Sequence, residues 1–591
     1  MSVSKFPSLL LSRFTKFPTV LNLLASTFVF AFAVAIAAYA NPTVTVISPK
    51  SGISAGSPVF YEASATSPGC AGGIAAMRIY SAPGVNAFTV NGAHIEQFID
   101  LAPGTYSTVV QAWDNCGGVS KTPVDLTVSS DAGVSVYLPS QSQANWPVHI
   151  AASAESPSCA NGIASIRIYT APGVAPYTID SNQLDAYVNL VPGTYDMAIQ
   201  SWDNCGNVFK SPLTEVVTAG SDGYLYGVVP RGVGQFEINS NGTLTNPNGS
   251  GNPPTFAAQS AGTLAADPGG WFVYASSDEG IYGFQVNQSN AALVPIPGSP
   301  FPLNTAVGDS ASPTIVMDPA GNFVYLAYRG DGYSEEASLA TYRIDRSSGS
   351  LTWTGWGYSF GNPAADCYSG LAGLAANFTG QYLYVGAIGC EQPTQTETYG
   401  FQTDPNHGFL NTQVPGSPYS FFGSPTSTGD YLYLGAANFD NTNGEVLGTS
   451  IDSGTGALTQ SSDSPFFAGP PDWPISSVWT DWKGRFLWAW EVQDVEGQDE
   501  GLQAFVINPA TRDLASSGAL QQFPVTIDFS LGLVEDHTGE FVFTSSLPNQ
   551  GSNQIASWTI SSEGTLMPLN TVALPANDGV GSIVAVRKAP N

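Results

Sequence analysis

Histidine is nearly absent from this chain, four in 591 residues, and basic residues are scarce, 17 Lys and Arg against 46 Asp and Glu for a formal charge of −29. So acidic a chain repels nucleic acid and anionic lipid, which argues against DNA, RNA and peripheral-membrane roles. Cysteine is limited to six, none with a C-x-x-C partner, so zinc-ribbon and thioredoxin-like sites are not expected. No G-x-S-x-G, H-E-x-x-H or phosphate-loop motif occurs. Charged residues make up only 11%, whereas aromatics reach 12% and Gly (63) and Pro (43) are plentiful. That is the composition of a β-rich, turn-rich globular chain, long enough for several domains.

Residues 1–40 carry a basic start (Lys5, Arg13, Lys16), an apolar run from Val20 to Ala38, and Ala38-Tyr39-Ala40 before Asn41. This reads as a secretory signal with an A-x-A cleavage site; the run is also long enough to serve as an uncleaved anchor. Its removal moves the formal charge from −29 to −32, because the segment has three basic residues and no acidic one. No membrane span is expected after cleavage. All six cysteines lie in the exported part, and an even count outside the cytosol reads as disulfides: Cys70 with Cys116, Cys159 with Cys205, and Cys367 with Cys390.

Residues 41–130 and 131–220 are a duplication with a period of 89, which maps Cys70 onto Cys159, Trp113 onto Trp202 and Cys116 onto Cys205. Each unit holds about seven short alternating runs, the pattern of a β-sandwich. L-x-P-G-T-Y, at Leu101–Tyr106 and Leu190–Tyr195, resembles the tyrosine corner of immunoglobulin-like and fibronectin III modules. The cysteines depart from the antibody pattern, so each bridge is expected to join loop ends and not to cross the core. Trp113 and Trp202 are read as core tryptophans in preference to sugar-stacking platforms, and His94 and His149 as surface histidines.

From residue 221 to 591 the text changes to a repeat. Thr314 to Leu351 runs through four short strands separated by turn clusters, and related units start near Gly262, Leu371, Phe422, Ser477 and Leu531. Four strands per period of about 40 to 55 residues is the signature of a β-propeller. Gly223–Thr245 lacks an innermost strand and Gly581–Val586 looks like one, so together they make a seventh blade that closes the ring. The recurrent S-P-[FY] at Ser299, Ser417 and Ser464 is expected to pack adjacent blades. The fold class is therefore all-β, two tandem sandwiches followed by a closed seven-bladed propeller.

The blade text D-P-x-G-x-F-V-Y, the [IL]-x-x-[YF]-x-[IV] strand, and the G-x-L-T and G-S-P-F segments resemble the lactonase-type (YVTN-like) propellers, which include 6-phosphogluconolactonases and carboxymuconate cyclases. The resemblance covers residues 223 to 591. It implies His, Glu and Arg at the central channel. This chain departs from that pattern: the positions before the innermost strands read Ser312-Pro313, Ser369-Gly370, Ile475-Ser476 and Phe529-Ser530, with no histidine. His407 and His537 fall in turns that strand parity places on the opposite face.

What the loops between second and third strands do carry is two arginines, Arg231 and Arg329, and many acids. Arg231, Arg329, Glu335 and Glu336 are the catalytic candidates, two carboxylates for proton transfer and a guanidinium clamp. Asp440, Asp494, Glu496, Asp499 and Glu500 are ligand-binding candidates. Calcium is the one cofactor considered there, although neither Asp440–Glu445 nor Asp494–Glu500 has the D-x-[DN]-x-[DN]-G spacing. The resulting expectation is an exported, monomeric, non-enzymatic binding or cell-surface interaction protein that uses the propeller loop face for a protein, glycan or small-molecule ligand. The alternative is an extracytoplasmic lactonase-like hydrolase.

Overall fold

A computed structural model of the chain describes residues 41–140, 143–171, 177–219, 223–249, 252–303, 313–328, 337–360, 370–388, 396–410, 412–421, 423–437, 444–467, 475–491, 500–518, 520–523, 533–545, 554–574 and 580–588. Its regular structure is strand throughout. No helix among these residues is long and apolar enough to cross a membrane.

The first repeat unit folds as two sheets around one core. Thr43–Ser48, Val59–Thr66 and His94–Ile99 form a three-stranded sheet; Ile53–Ala55, Val119–Val128, Gly104–Asp114, Ile74–Ala82 and Val85–Asn91 form a five-stranded one. The second unit repeats this with Gly133–Leu138, Val148–Glu155 and Gln183–Val188 facing a sheet built on Gly193–Asp203 and Val208–Thr218. Alternation decides what is inside: Met77, Ile79, Val110 and Ala112 are buried, whereas Trp113 on the other face of its strand is only half-buried. Arg78 lies over the Trp113 ring at 5.1 Å and Arg167 over Trp202 at 4.9 Å. These tryptophans are thus lidded on the sheet exterior and do not belong to the core, contrary to the sequence reading.

Both bridges in these units form, Cys70–Cys116 and Cys159–Cys205, each with Cα atoms 5.8 Å apart. They join loop ends, as the sequence suggested. The two corners close through Tyr106 Oη donating to Ala102 O at 2.7 Å and Tyr195 Oη to Val191 O at 2.9 Å. The units are fused to each other by Tyr137, whose hydroxyl reaches Gly56 O at 2.8 Å across the boundary.

The rest of the chain forms seven antiparallel sheets, each with a path of four strands, here lettered a to d from the inside outward, and three of them carry a fifth short strand on strand c. In six of them the chain runs a to d in order. In the other, Tyr224–Val229 and Gly232–Ile238 are strands b and c, and strand a is Ile583–Val586 from the far end of the chain, with Tyr224 opposite Val586. Second strands such as Phe323–Tyr328 are buried on both faces because a neighbouring sheet covers each side. Outermost strands such as Leu351–Ser359 alternate towards exposure along most of their length. Phe301 pairs with Ile281 of its own third strand and shares a core with Ile315 of the next sheet, and Phe466 does the same with Val446 and Ile475. The S-P-[FY] motif therefore both edges its own sheet and packs on the neighbour.

The a–b turns share one design. Asp267, Asp318, Asp481 and Asp536 each accept main-chain N–H groups of their own turn, for example Ala320 N and Asn322 N on Asp318 at 3.2 and 3.1 Å. The D-P-x-G text is thus a turn-closing device, with Gly270 and Gly321 at φ +79 and +81, a region that side chains disfavour.

Candidate functional site

The two sandwich units sit against the a–b and c–d turns of the propeller, and ionisable residues meet there out of water. His94–Ile99 and Gln183–Val188 are the outer strands of equivalent three-stranded sheets, so alternation turns His94 and Glu96 of the first, and Asp185 (89 residues after Glu96) and Tyr187 of the second, towards the propeller. Tyr187, 2% exposed, is the plug: its N–H donates to Ala320 O at 3.2 Å. A Cβ at Gly269 would run into its hydroxyl, which accounts for the first glycine of Asp267-Pro-Gly-Gly270. Its ring stacks on His149 at 4.4 Å, and the guanidiniums of Arg346 and Arg587 lie 5.1 and 5.5 Å from its centre.

Around it runs a closed set of charges. Arg346 Nε donates to Glu96 Oε1 at 3.2 Å, and its Nη1 to Asp267 and to Gly321 O. Burial works against the charge of Arg346, but Asp267 and Glu96 outweigh it and hold the guanidinium protonated. His149 Nε2 lies 2.7 Å from Asp185 Oδ1 and 3.6 Å from Glu96 Oε1, and its Nδ1 is 3.3 Å from Glu62 Oε2. Burial alone would lower the pKa of His149; the Glu62 charge and the Asp185 hydrogen bond overcome that and raise it to about 10. His94, fully buried, stacks on Trp271 at 3.9 Å and meets Glu96 Oε2 at 3.0 Å.

His94 and His149 are therefore not surface histidines. The sequence signal that could have found them is the alternation His94-x-Glu96, together with Gly269, where the other turns of this design carry Ala320, Thr379, Lys483 or Thr538.

Beside this junction a groove of about 740 Å³ crosses the a–b turns of four successive sheets, at Pro319, Phe378, Gly429 and Lys483, and is walled on the other side by Trp146, Leu190 and Tyr195 of the second sandwich. Trp146 and Trp482 stack at 4.2 Å at one end. Lys483, Arg485 and Arg512 line it, three of only 17 basic residues in the chain. Arg485 is held by Asp481 at 2.6 Å and Lys483 donates to Thr538 O at 2.5 Å, whereas Arg512 has no ion-pair partner among the described residues. Burial and Arg485 depress the Lys483 pKa. A cationic groove with indole faces can bind a sugar-sized anion by charge-assisted hydrogen bonds and stacking.

Of the residues singled out from sequence, Arg231 is exposed in the b–c turn between Val229 and Gly232, as expected. Glu500 opens the strand Glu500–Ile507 and pairs with Phe523. Arg329, Glu335, Glu336, Asp440, Asp494, Glu496, Asp499, Cys367 and Cys390 lie outside the described residues. His407 is exposed in a c–d turn, and His537 follows Asp536 in an a–b turn, where burial and the Arg587 charge lower its pKa to about 3. All four histidines are thus accounted for at the sandwich units or on the turn side of the propeller.

No protein-family model and no curated protein matches the chain. Among solved structures, the periplasmic gluconolactonase of Pseudomonas aeruginosa aligns with 63% of this chain and 100% of its own, at 16% identity and TM-score 0.45. A putative 6-phosphogluconolactonase from Bacteroides uniformis covers 61% of this chain and 99% of its own, at 16% identity and TM-score 0.45. Fibronectin(III)-like modules of Clostridium thermocellum CbhA align with 30% of this chain and 94% of their own, at 17% identity and TM-score 0.14. The all-β class itself rests on the strand pairing described above.

Proposed function

We propose that this is an extracytoplasmic binding protein: a seven-bladed lactonase-type ring with two immunoglobulin-like modules locked on its turn face, taking an anionic carbohydrate in the groove between the second module and the ring. The observation that carries it is the convergence of Lys483, Arg485 and the unpaired Arg512 with the stacked Trp146 and Trp482 in a chain that is otherwise strongly acidic. Export is supported by the N-terminal segment and by two disulfides, which persist in oxidising compartments. The test is an array of uronic-acid and neutral oligosaccharides probed with the exported chain. Retention of acidic members only, lost in Arg512→Ala and Trp482→Ala and kept in His407→Ala, supports the reading; equal capture of neutral sugars, or indifference to Arg512→Ala, contradicts it.

Lactone hydrolysis at the b–c loop face is the second reading. Its support is the blade text and Arg231, exposed on that face. Against it stands the placement of every histidine away from that face, since an imidazole is the usual group for proton transfer near neutral pH.

A further inference from the structure

We propose that the junction of the three modules binds one divalent transition-metal ion through Glu96, His149 and Asp185, with Glu62 and His94 as positioning residues. Donor atoms of Glu96, His149 and Asp185 all lie within 4.8 Å of one another, and so do those of Glu62, His94 and Glu96. Donors of a four-coordinate ion with bonds of ~2.0–2.1 Å stand about 3.3–3.5 Å apart. His149 Nε2 is already 3.6 Å from Glu96 Oε1, and its 2.7 Å contact with Asp185 Oδ1 would open to admit the ion.

The surroundings are those a ligating histidine needs. His149 turns its other nitrogen to Glu62 Oε2 at 3.3 Å, the carboxylate–histidine arrangement that fixes the ring and its tautomer. His94 holds the second oxygen of Glu96 at 3.0 Å. His94 Nδ1 is buried without a hydrogen-bond partner among the described residues, on a residue 0% exposed.

Four carboxylates (Glu62, Glu96, Asp185, Asp267) gather around His149 and Arg346, and an ion bound at His149 Nε2 would displace a proton from the imidazole. Imidazole with carboxylate suits zinc and its first-row neighbours in preference to calcium. An entry path exists: a cleft of about 490 Å³ between the two sandwiches and the end of the propeller is lined by Glu62, His149, Lys50 and Arg587.

The experiment uses the full exported chain, stripped with a chelator and titrated with Zn²⁺. One ion per chain is expected by elemental analysis after gel filtration, with affinity falling as pH drops from about 8 to about 6 because protons compete for His149. His149→Gln and Asp185→Asn are expected to abolish loading, Glu62→Gln to weaken it by about tenfold or more, and Glu237→Gln, at an exposed position of another strand, to leave it unchanged. X-ray absorption of the loaded wild type should show an imidazole-containing N/O shell, a readout independent of whether the variants fold. No retained zinc, loading that survives His149→Gln, or a shell without imidazole overturns the proposal.

Discussion

Arg346 of the propeller donates to Glu96 of the first sandwich at 3.2 Å while its other arm holds Asp267 of its own ring, so one buried guanidinium joins two modules. With Tyr187 seated over Gly269 and Gly321, it makes the sandwiches part of the propeller's turn face instead of a tethered spacer. The groove beside the junction exists only because that docking is fixed.

Removing one partner of a buried charge pair leaves the other uncompensated, which costs about 3–5 kcal/mol. Arg346→Ala is therefore expected to lower stability by that order in urea unfolding and to expose the sandwich–propeller seam to protease. Arg346→Lys should recover little, because an ammonium cannot serve Glu96, Asp267 and Gly321 O together.

Glu215 sits where the 89-residue repeat puts Leu126 in the first sandwich. It is 0% exposed, both carboxylate oxygens lack partners, and burial raises its pKa to about 7. A raised acid pKa means the folded state is penalised as pH climbs from the ordinary carboxylate range through about 7. Glu215→Leu is expected to stabilise the chain by about 1–3 kcal/mol at pH above 7 and by much less in mild acid, read as the difference in melting temperature across a pH series.

His149 gives a slope of the same sign in a higher pH window. Its folded pKa of about 10 exceeds the ordinary 6.5, so its contribution is complete below 6.5 and is lost as pH rises to about 10. In chelator-treated protein, the stability gap between wild type and His149→Phe, the residue the first sandwich has at Phe60, should shrink over that window. A gap independent of pH would show that the imidazolium does not hold the junction.

Deleting residues 581–591 removes Ile583–Val586, the sole partner on one edge of Tyr224–Val229. The melting temperature of the whole ring is expected to fall by several degrees or more, since opening the closure exposes a strand edge and uncovers Leu225, Phe236 and Phe543. An unchanged melting temperature would contradict closure by that strand.

The architecture was legible because strands and turns are local: alternation, Gly/Pro punctuation and the 89-residue duplication place Tyr106, Cys70–Cys116 and the closing strand without any long-range knowledge. The junction was not. His94 and His149 look like isolated polar residues because Trp271, which stacks on His94, and Glu62, which meets His149 from the other sandwich, stand far away in the chain and come together only after the modules dock. The groove was hidden for the same reason: Trp146 and Trp482 are 336 residues apart in sequence and stack in space. Arg231 was placed correctly because a b–c turn is fixed by its own hairpin.

The most direct test of binding against turnover is steady-state hydrolysis of a panel of δ- and γ-lactones by the exported chain at neutral pH, compared with buffer. No saturable rate above background is predicted, because no histidine reaches the loop face. Saturable turnover that disappears in Arg231→Ala or Arg329→Ala would contradict the binding reading and establish the hydrolase.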